Sequence, residues 1–177
     1  MNIRLPNGTI TLEHPPCILG GGAVGGKKEA EGPLGQWFDY LCEDGRFHQD
    51  TWEKSESEMQ KEAFRFALDR THLKLTDIDC IFSGDLLNQC TASAFAHRAS
   101  NTAYVGLYGA CSTFVEGLAL SALFLNAGYA NYTATCVSSH FCSAERQYRY
   151  PLNYGGQRTP TAQWTVTGAG CAIMAAG

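Results

Sequence analysis

The chain has 177 residues, of which 45% are hydrophobic and 17% charged, and its formal net charge is −4. That length and balance fit a single globular domain, residues 1–177, and exclude a disordered chain. No Lys/Arg cluster exceeds Lys27-Lys28, which argues against nucleic acid as a partner. No apolar run is long enough to cross a bilayer. The start, Met1-Asn2-Ile3-Arg4-Leu5-Pro6, lacks the apolar centre of a signal peptide, so the expectation is a soluble, intracellular protein.

Nineteen glycines point to tight turns and close backbone approaches. In the Gly/Pro-rich first fifty residues, Thr9–Leu12 and Cys17–Leu19 read as short strands, and Gly20 to Gly26 as a flexible loop. The loop resembles a phosphate cradle only in composition, because no GK[ST] follows it. Asp50 and Glu53 have capping-box spacing and start a helix that runs to about Leu73. Trp52, Met59, Ala63, Phe66 and Ala67 mark its apolar stripe, the signature of a helix covering a sheet. Ile78–Ser83 is a short buried strand ending in the polar loop Gly84-Asp85-Leu86-Leu87-Asn88-Gln89. A small-residue helix follows from about Ala92 to Ala99, then a strand at Thr102–Leu107. Tyr132–Val137 and Gly170–Ala175 are two further strands, and Thr161 to Gly170 is a turn leading into the last. Strands alternating with helices predict a three-layer α/β fold with a mostly parallel, mixed sheet.

The most informative stretch is Tyr108-Gly109-Ala110-Cys111-Ser112-Thr113. It places a cysteine on a sharp strand-to-helix turn. The free N–H groups and positive dipole end of a helix N-terminus favour an anion, and the same field activates a thiol. The turn therefore suits either a nucleophile or the seat of an anionic ligand. The helix that follows, to Ala127, is apolar around its whole circumference, with only Glu116, Ser121 and Asn126 polar; Glu116 is read as structural, its charge matched to the dipole. A helix of this kind must be covered on all sides, which predicts a second layer of protein over its outer face.

The eight cysteines, at 17, 42, 80, 90, 111, 136, 142 and 171, form no CxxC pair. They read as small buried hydrophobes in a reducing compartment. Cys136, His140 and Cys142 match no standard zinc spacing, so no metal and no cofactor is expected.

An α/β unit with a cysteine on the turn before a buried central helix resembles the thiolase-like superfamily of thiolases and ketoacyl synthases. Within it, the chain is similar to the stage V sporulation protein AD family. The carrying segments, in order, are Glu31-Gly32-Pro33-Leu34-Gly35, Gly84 to Gln89, Gly109 to Thr113, Ser138-Ser139-His140, Ala144-Glu145-Arg146-Gln147, Tyr148-Arg149-Tyr150-Pro151, Tyr154-Gly155-Gly156-Gln157 and Thr165-Val166-Thr167-Gly168. The resemblance implies the N-terminal half of a thiolase-like fold, with the second half absent. A truncated form and a second chain supplying the other half both remain open, as does a homo-oligomer. It also implies a sporulation protein that binds dipicolinic acid (pyridine-2,6-dicarboxylate) and supports its uptake into the developing spore. Membrane partners of the spore uptake complex, and peripheral association with the spore inner membrane, belong to the same expectation.

Ligands of open α/β sheets gather beyond the C-terminal ends of the strands, so Cys111, Asp85, Asn88 and His140 are expected to converge on one pocket. An acyl-transferring Cys111 needs a base and an oxyanion hole, and His140 is the candidate base. The bland alternatives are a loop histidine bonded to backbone and, for Asp85, a carboxylate bonded to loop N–H groups. A flat dianion such as dipicolinate needs cationic partners for two carboxylates. Arg146 and Arg149, with Arg158, are the candidates, set among Tyr148, Tyr150 and Tyr154; surface ion pairing or stacking is the alternative for each. The two readings are a non-catalytic dipicolinate binder and an acyltransferase using Cys111, with a purely structural assembly partner as a third.

Overall fold

The computed structural model describes residues 3–148, 161 and 163–177. A small antiparallel pair, β1 (Ile3–Arg4) and β2 (Ile10–Thr11), precedes the main sheet. The remaining elements in chain order are β3 (Cys17–Gly26), α1 (Lys27–Ala30), β4 (Tyr40–Cys42), α2 (Trp52–Thr71), β5 (Cys80–Gly84), α3 (Thr91–His97), β6 (Ala103–Leu107), α4 (Thr113–Asn126), β7 (Tyr132–Ser139), α5 (Phe141–Tyr148) and β8 (Gly168–Ala175). The six-stranded sheet has the order β4-β3-β8-β7-β5-β6. β4 runs parallel to β3, and β6 and β7 run parallel to β5, while β8 is antiparallel to both neighbours. The mostly parallel mixed sheet and the α/β class are as the sequence predicts.

Alternation along the strands assigns the two faces. Ile81, Ala134, Cys136, Cys171 and Ile173 form the core beneath α2, with Met59, Ala63, Phe64 and Ala67 of that helix. Cys80, Phe82 and Leu107 face the other way and meet Leu120 and Phe124 of α4, with the Phe82 and Phe124 rings edge to face at 5.1 Å. Layers of helix on both faces of the sheet follow.

The largest departure from expectation is β3. Gly20 to Gly26 is not a loop but part of a ten-residue strand in register with β8 from Gly20↔Ile173 to Gly25↔Gly168. The glycines are there because α2 lies almost against the strand. A Cβ on Gly22 would sit 2.2 Å from the Ala63 carbonyl oxygen and 2.8 Å from the Ala67 nitrogen. Composition reads as loop, but close backbone packing decides the outcome.

Smaller differences have local causes. Thr51, not Asp50, caps α2, its hydroxyl accepting from the Lys54 N–H at 3.3 Å. The helix ends at Thr71 because His72 adopts a left-handed conformation with φ of 57°. β4 and α5 have no counterpart among the predicted elements: β4 is three residues long, and α5 lies in a stretch whose polar character reads as loop.

α4 buries Thr113, Gly117, Ser121 and Leu125. The first three are small, and a Cβ on Gly117 would meet Thr135 at 2.5 Å. Of its larger side chains, Leu120 and Phe124 pack inward on Phe82 and Leu107, while Val115 and Leu123 turn outward, 67% and 45% exposed. The described residues of this chain therefore cover the helix on one side.

Substituting Gly22 by Ala forces α2 off β3. Overpacking of this kind costs about 3 kcal/mol, so urea unfolding of Gly22→Ala is expected to show a much lower midpoint than Gly170→Ala, at a β8 glycine outside the positive-φ region whose Cβ would meet nothing within 4 Å.

Candidate functional site

A cavity of about 610 Å³ opens beyond the C-terminal ends of β5 and β7. Gly84 and Asp85, Val137 to Ser139, and Gly168 to Gly170 form its floor, with Ala23 and Val24 of β3. Cys111, Thr113 and Phe114 form one wall, and Phe38, Trp164 and Val166 another. The lining is predominantly apolar and carries three aromatic rings.

Cys111 reaches this cavity from a strained turn. The chain leaves β6 at Leu107, and Ala110 takes φ of 50°, a conformation that non-glycine residues rarely adopt. Ala110–Ser112 then make a single 3-10 turn that leads into α4. The Ser112 N–H donates to the Gly109 carbonyl at 3.1 Å, and the Thr113 N–H to the Ala110 carbonyl. Thr113 Oγ1 accepts from the Gly109 N–H at 3.0 Å. The turn exposes the Cys111 thiol, but the neighbouring N–H groups of Ser112 and Thr113, expected to be free for an anion, are already engaged.

Asp85 lines the same cavity, yet its carboxylate is turned into the loop. It accepts from the Leu87 N–H at 3.0 Å, the Ala92 N–H at 3.3 Å, and the Ser93 N–H and hydroxyl at 2.8 and 2.6 Å. These bonds hold a segment in which Gln89 and Cys90 both have positive φ. Asn88 is exposed and is not in the cavity lining; its N–H donates to the Gln147 Oε1 at 2.9 Å.

The expected convergence of His140 with Cys111 does not occur. Its Nδ1 accepts from the Cys142 N–H at 3.1 Å, so Nε2 carries the proton and donates to the Gly45 carbonyl at 2.8 Å. The ring is buried and packs 5.1 Å from Trp52. Burial holds its pKa below the ordinary imidazole value, and with both nitrogens engaged it has no lone pair for a thiol. It lines a separate cavity of about 210 Å³ with Lys27, Lys28 and Glu29. Trp164 lines both cavities, with the Lys28 ammonium 5.3 Å from its ring centre.

Arg146 is paired with Glu53 of α2 at the surface and is absent from the lining. Its neighbours on α5 instead secure the β5–α3 loop: Gln147 Nε2 donates to the Leu86 carbonyl at 3.1 Å, and Tyr148 Oη contacts the same oxygen and the Tyr108 hydroxyl. Arg149 and Arg158 lie outside the described residues.

Behind the cavity floor is a polar network that the sequence reading passed over. Glu56 of α2 is fully buried. Its two oxygens accept from the Ser138 hydroxyl at 3.0 Å and the Ser143 hydroxyl at 2.8 Å. One turn on, Gln60 Nε2 donates to the Gly84 carbonyl at 3.0 Å and to Ser138 Oγ at 2.8 Å, while its Oε1 accepts from Ser83 at 2.9 Å. Burial pushes the Glu56 carboxyl up to about 7; the Ser143 hydrogen bond opposes the rise and the Asp85 charge adds to it.

The sequence model of the stage V sporulation protein AD family matches residues 6–177. The curated stage V sporulation protein AD of Bacillus subtilis is 37% identical over 166 residues, which cover 94% of this chain and 49% of that protein. The chain belongs to the stage V sporulation protein AD family. Solved structures similar to this sporulation-family chain include a variant of Xanthomonas campestris OleA, with a TM-score of 0.62 at 14% identity over 93% of this chain and 57% of that one. The 3-oxoacyl-[acyl-carrier-protein] synthase III of Aquifex aeolicus has a TM-score of 0.59 at 17% identity, over 90% and 53%. These likenesses carry the thiolase-like fold. The chain spans about half the length of the curated relative it matches.

A signal for the buried network of this family member was present in the sequence. Glu56 and Gln60 lie on the same helical line as Ala63 and Ala67. Polar residues on an apolar stripe mark partners waiting across the interface. Ser138-Ser139 was visible only as a family segment without a role.

The folded-state value of Glu56 lies above its unfolded one, so its contribution to stability is full below about 4.5 and lost as pH rises through about 7. A shift of that size corresponds to roughly 3 kcal/mol. Urea unfolding at pH 5 and pH 8 is expected to show Glu56→Gln gaining stability relative to the parent by about that amount between the two; a pH-independent difference would refute the assignment.

Proposed function

We propose that this chain is a non-catalytic, thiolase-fold binding module that holds dipicolinate in the cavity beside Cys111 and supports its uptake during sporulation. The observation that carries the reading is the cavity itself. Its walls, with Phe38, Phe114 and Trp164, suit a flat aromatic ring, and among the described residues no histidine lines it to activate Cys111. Family membership supplies the sporulation context. Ser138, Ser139 and Thr113 are hydroxyl-bearing residues of the lining, and we assign the balancing positive charge to Arg149 or Arg158, or to Lys28 across Trp164. Membrane partners of the spore uptake complex, at the inner membrane, receive the ligand in this reading. No helix among the described residues is long and apolar enough to cross a membrane; peripheral attachment is part of the same proposal.

A second reading has one specific observation in its favour. The exposed thiol on the strained turn at Ala110 is what a condensing enzyme needs, and the OleA and synthase III neighbours share the fold. A third concerns assembly: the outward apolar side chains of α4 are covered by a second thiolase-like half, from further chain or a partner. Sedimentation as a stable, soluble monomer of this chain alone would contradict that cover.

Calorimetric titration with dipicolinate tests the main reading. Saturable binding is expected, and Cys111→Ala is expected to retain it to within about tenfold, the loss of one non-covalent contact. Incubation with acyl-CoA thioesters followed by intact mass measurement is expected to leave Cys111 unmodified; an acyl adduct at Cys111, absent in the Ala variant, would favour the condensing enzyme.

A further inference from the structure

The buried Glu56 network gives the proposed carboxylate site a further property, which rests on the binding reading above. Ser138 belongs to both systems: it is among the residues that line the cavity, and its hydroxyl is bonded to Glu56 and Gln60 of α2. The orientation of Gln60 is fixed. Its Oε1 accepts from Ser83, so its Nε2 has two hydrogens to give, one to the Gly84 carbonyl and one to Ser138. Ser138 Oγ therefore always accepts from Gln60. A hydroxyl has one hydrogen to donate and room to accept two. With Glu56 ionised, that hydrogen points backward to Oε1, and a carboxylate arriving in the cavity meets only lone pairs. With Glu56 protonated on Oε1, the carboxyl O–H donates to Ser138. Ser138 then accepts twice, and its own hydrogen is released toward the cavity. Every polar atom is satisfied in the ionised state, and in the protonated state once a ligand oxygen accepts the Ser138 hydrogen, which is what ties the second arrangement to an occupied cavity.

We propose that carboxylate binding in the Cys111 cavity is coupled to the uptake of one proton from solvent by Glu56, relayed by rotation of the Ser138 hydroxyl.

The surroundings suit a proton that comes and goes. Glu56 has no cationic partner in its own hydrogen-bond set, only the two hydroxyls. The charged and titratable groups on the elements packed around it include Glu53 on its own helix, Asp85 after β5, Cys90 and His97 at the two ends of α3, Cys136 on β7 and Cys171 on β8, which are hydrogen-bonded to each other at 2.9 Å, His140 after β7, and Cys142, Glu145 and Arg146 on α5. Arg146 is taken up by Glu53 at the surface, Asp85 adds negative charge, and His140 is held neutral by burial. Burial also places the Glu56 titration near neutrality.

The test is calorimetry of dipicolinate binding at pH 6 and pH 8 with the protein as naturally produced, in buffers of different ionisation enthalpy. The ligand is doubly anionic throughout this range. If only the protonated form binds, affinity falls by roughly tenfold between the two pH values for a titration near 7, with net proton uptake approaching one at the higher pH. Glu56→Gln imitates the protonated carboxyl and is expected to bind with pH 6 affinity at both, without uptake. Ser138→Ala cuts the relay while leaving Glu56 in place, and is expected to bind weakly with a flattened pH dependence. The inference is overturned if the parent binds without proton uptake, or if either variant keeps the parental slope. A second readout is independent of ligand: the infrared band of a protonated carboxylic acid should vanish between pH 6 and pH 8 in the parent and be missing in Glu56→Gln, and its absence at pH 6 would overturn the assignment. Failure of the parent to bind at any pH, with that band present, removes the dipicolinate reading and the coupling together but leaves the Glu56 titration standing.

Discussion

The site depends on how α2 holds the sheet. Parallel strands β5 and β7 end side by side, and beyond their last ladder bonds the polar groups at their tips need other partners. Gln60 supplies them from across the interface, with one amide hydrogen on the Gly84 carbonyl of β5 and the other on Ser138 of β7. Glu56 adds a second bond to Ser138 and extends to Ser143 of α5. Two side chains one helical turn apart thus join two strand ends and the following helix. The cavity floor is the far side of this junction, so its shape is set by a rigid helix-to-sheet contact rather than by loops.

The same contact explains why β3 is glycine-rich. α2 can reach the strand tips only if it lies close to the sheet along its length, and at Gly22 the clearance is less than a methyl group requires. Glycine in a strand costs conformational entropy, so seven consecutive positions with five glycines are tolerated here because the packing against α2 and the register with β8 compensate. The closeness at β3 and the polar bonds at β5 and β7 are two ends of one constraint.

This constraint also sets what was legible in the sequence. The thiol turn, the apolar helix after it and the β5, β6, β7 and β8 strands all show in local periodicity, because each is decided by its own residues. The glycine strand and the Glu56–Ser138 bond are decided by residues 41 and 82 positions away, and local pattern does not carry such information. The individual site residues divide in the same way. Asp85 and Cys111 line one cavity at the strand ends, where the rule for open α/β sheets places ligands. His140 follows the same rule in sequence, but its ring turns away because the Gly45 carbonyl and the Cys142 N–H claim both nitrogens. Sequence position locates a backbone near a site; competing hydrogen bonds decide where the side chain points.

α4 divides its larger side chains between two sides, Leu120, Phe124 and Leu125 inward and Val115 and Leu123 outward, and this bears on how the cavity is closed. Its small residues, Thr113, Gly117 and Ser121, face the sheet, and its larger Val115 and Leu123 face outward. An ordinary covering helix places its bulk inward, where burial gains about 25 cal/mol per Å². Along the line of Thr113, Gly117 and Ser121 the inward face is thin and the helix sits close on β7, with Ser121 and Thr135 hydroxyls 3.1 Å apart. Val115 and Leu123 add apolar bulk on the opposite side. Cys111 lies just before this same helix and Phe114 in its first turn, so a layer covering α4 would also approach the mouth of the cavity. Under the proposed function, burial of the outward face and completion of the binding site would be one event, and the affinity of the site for a small acid would follow the state of that interface.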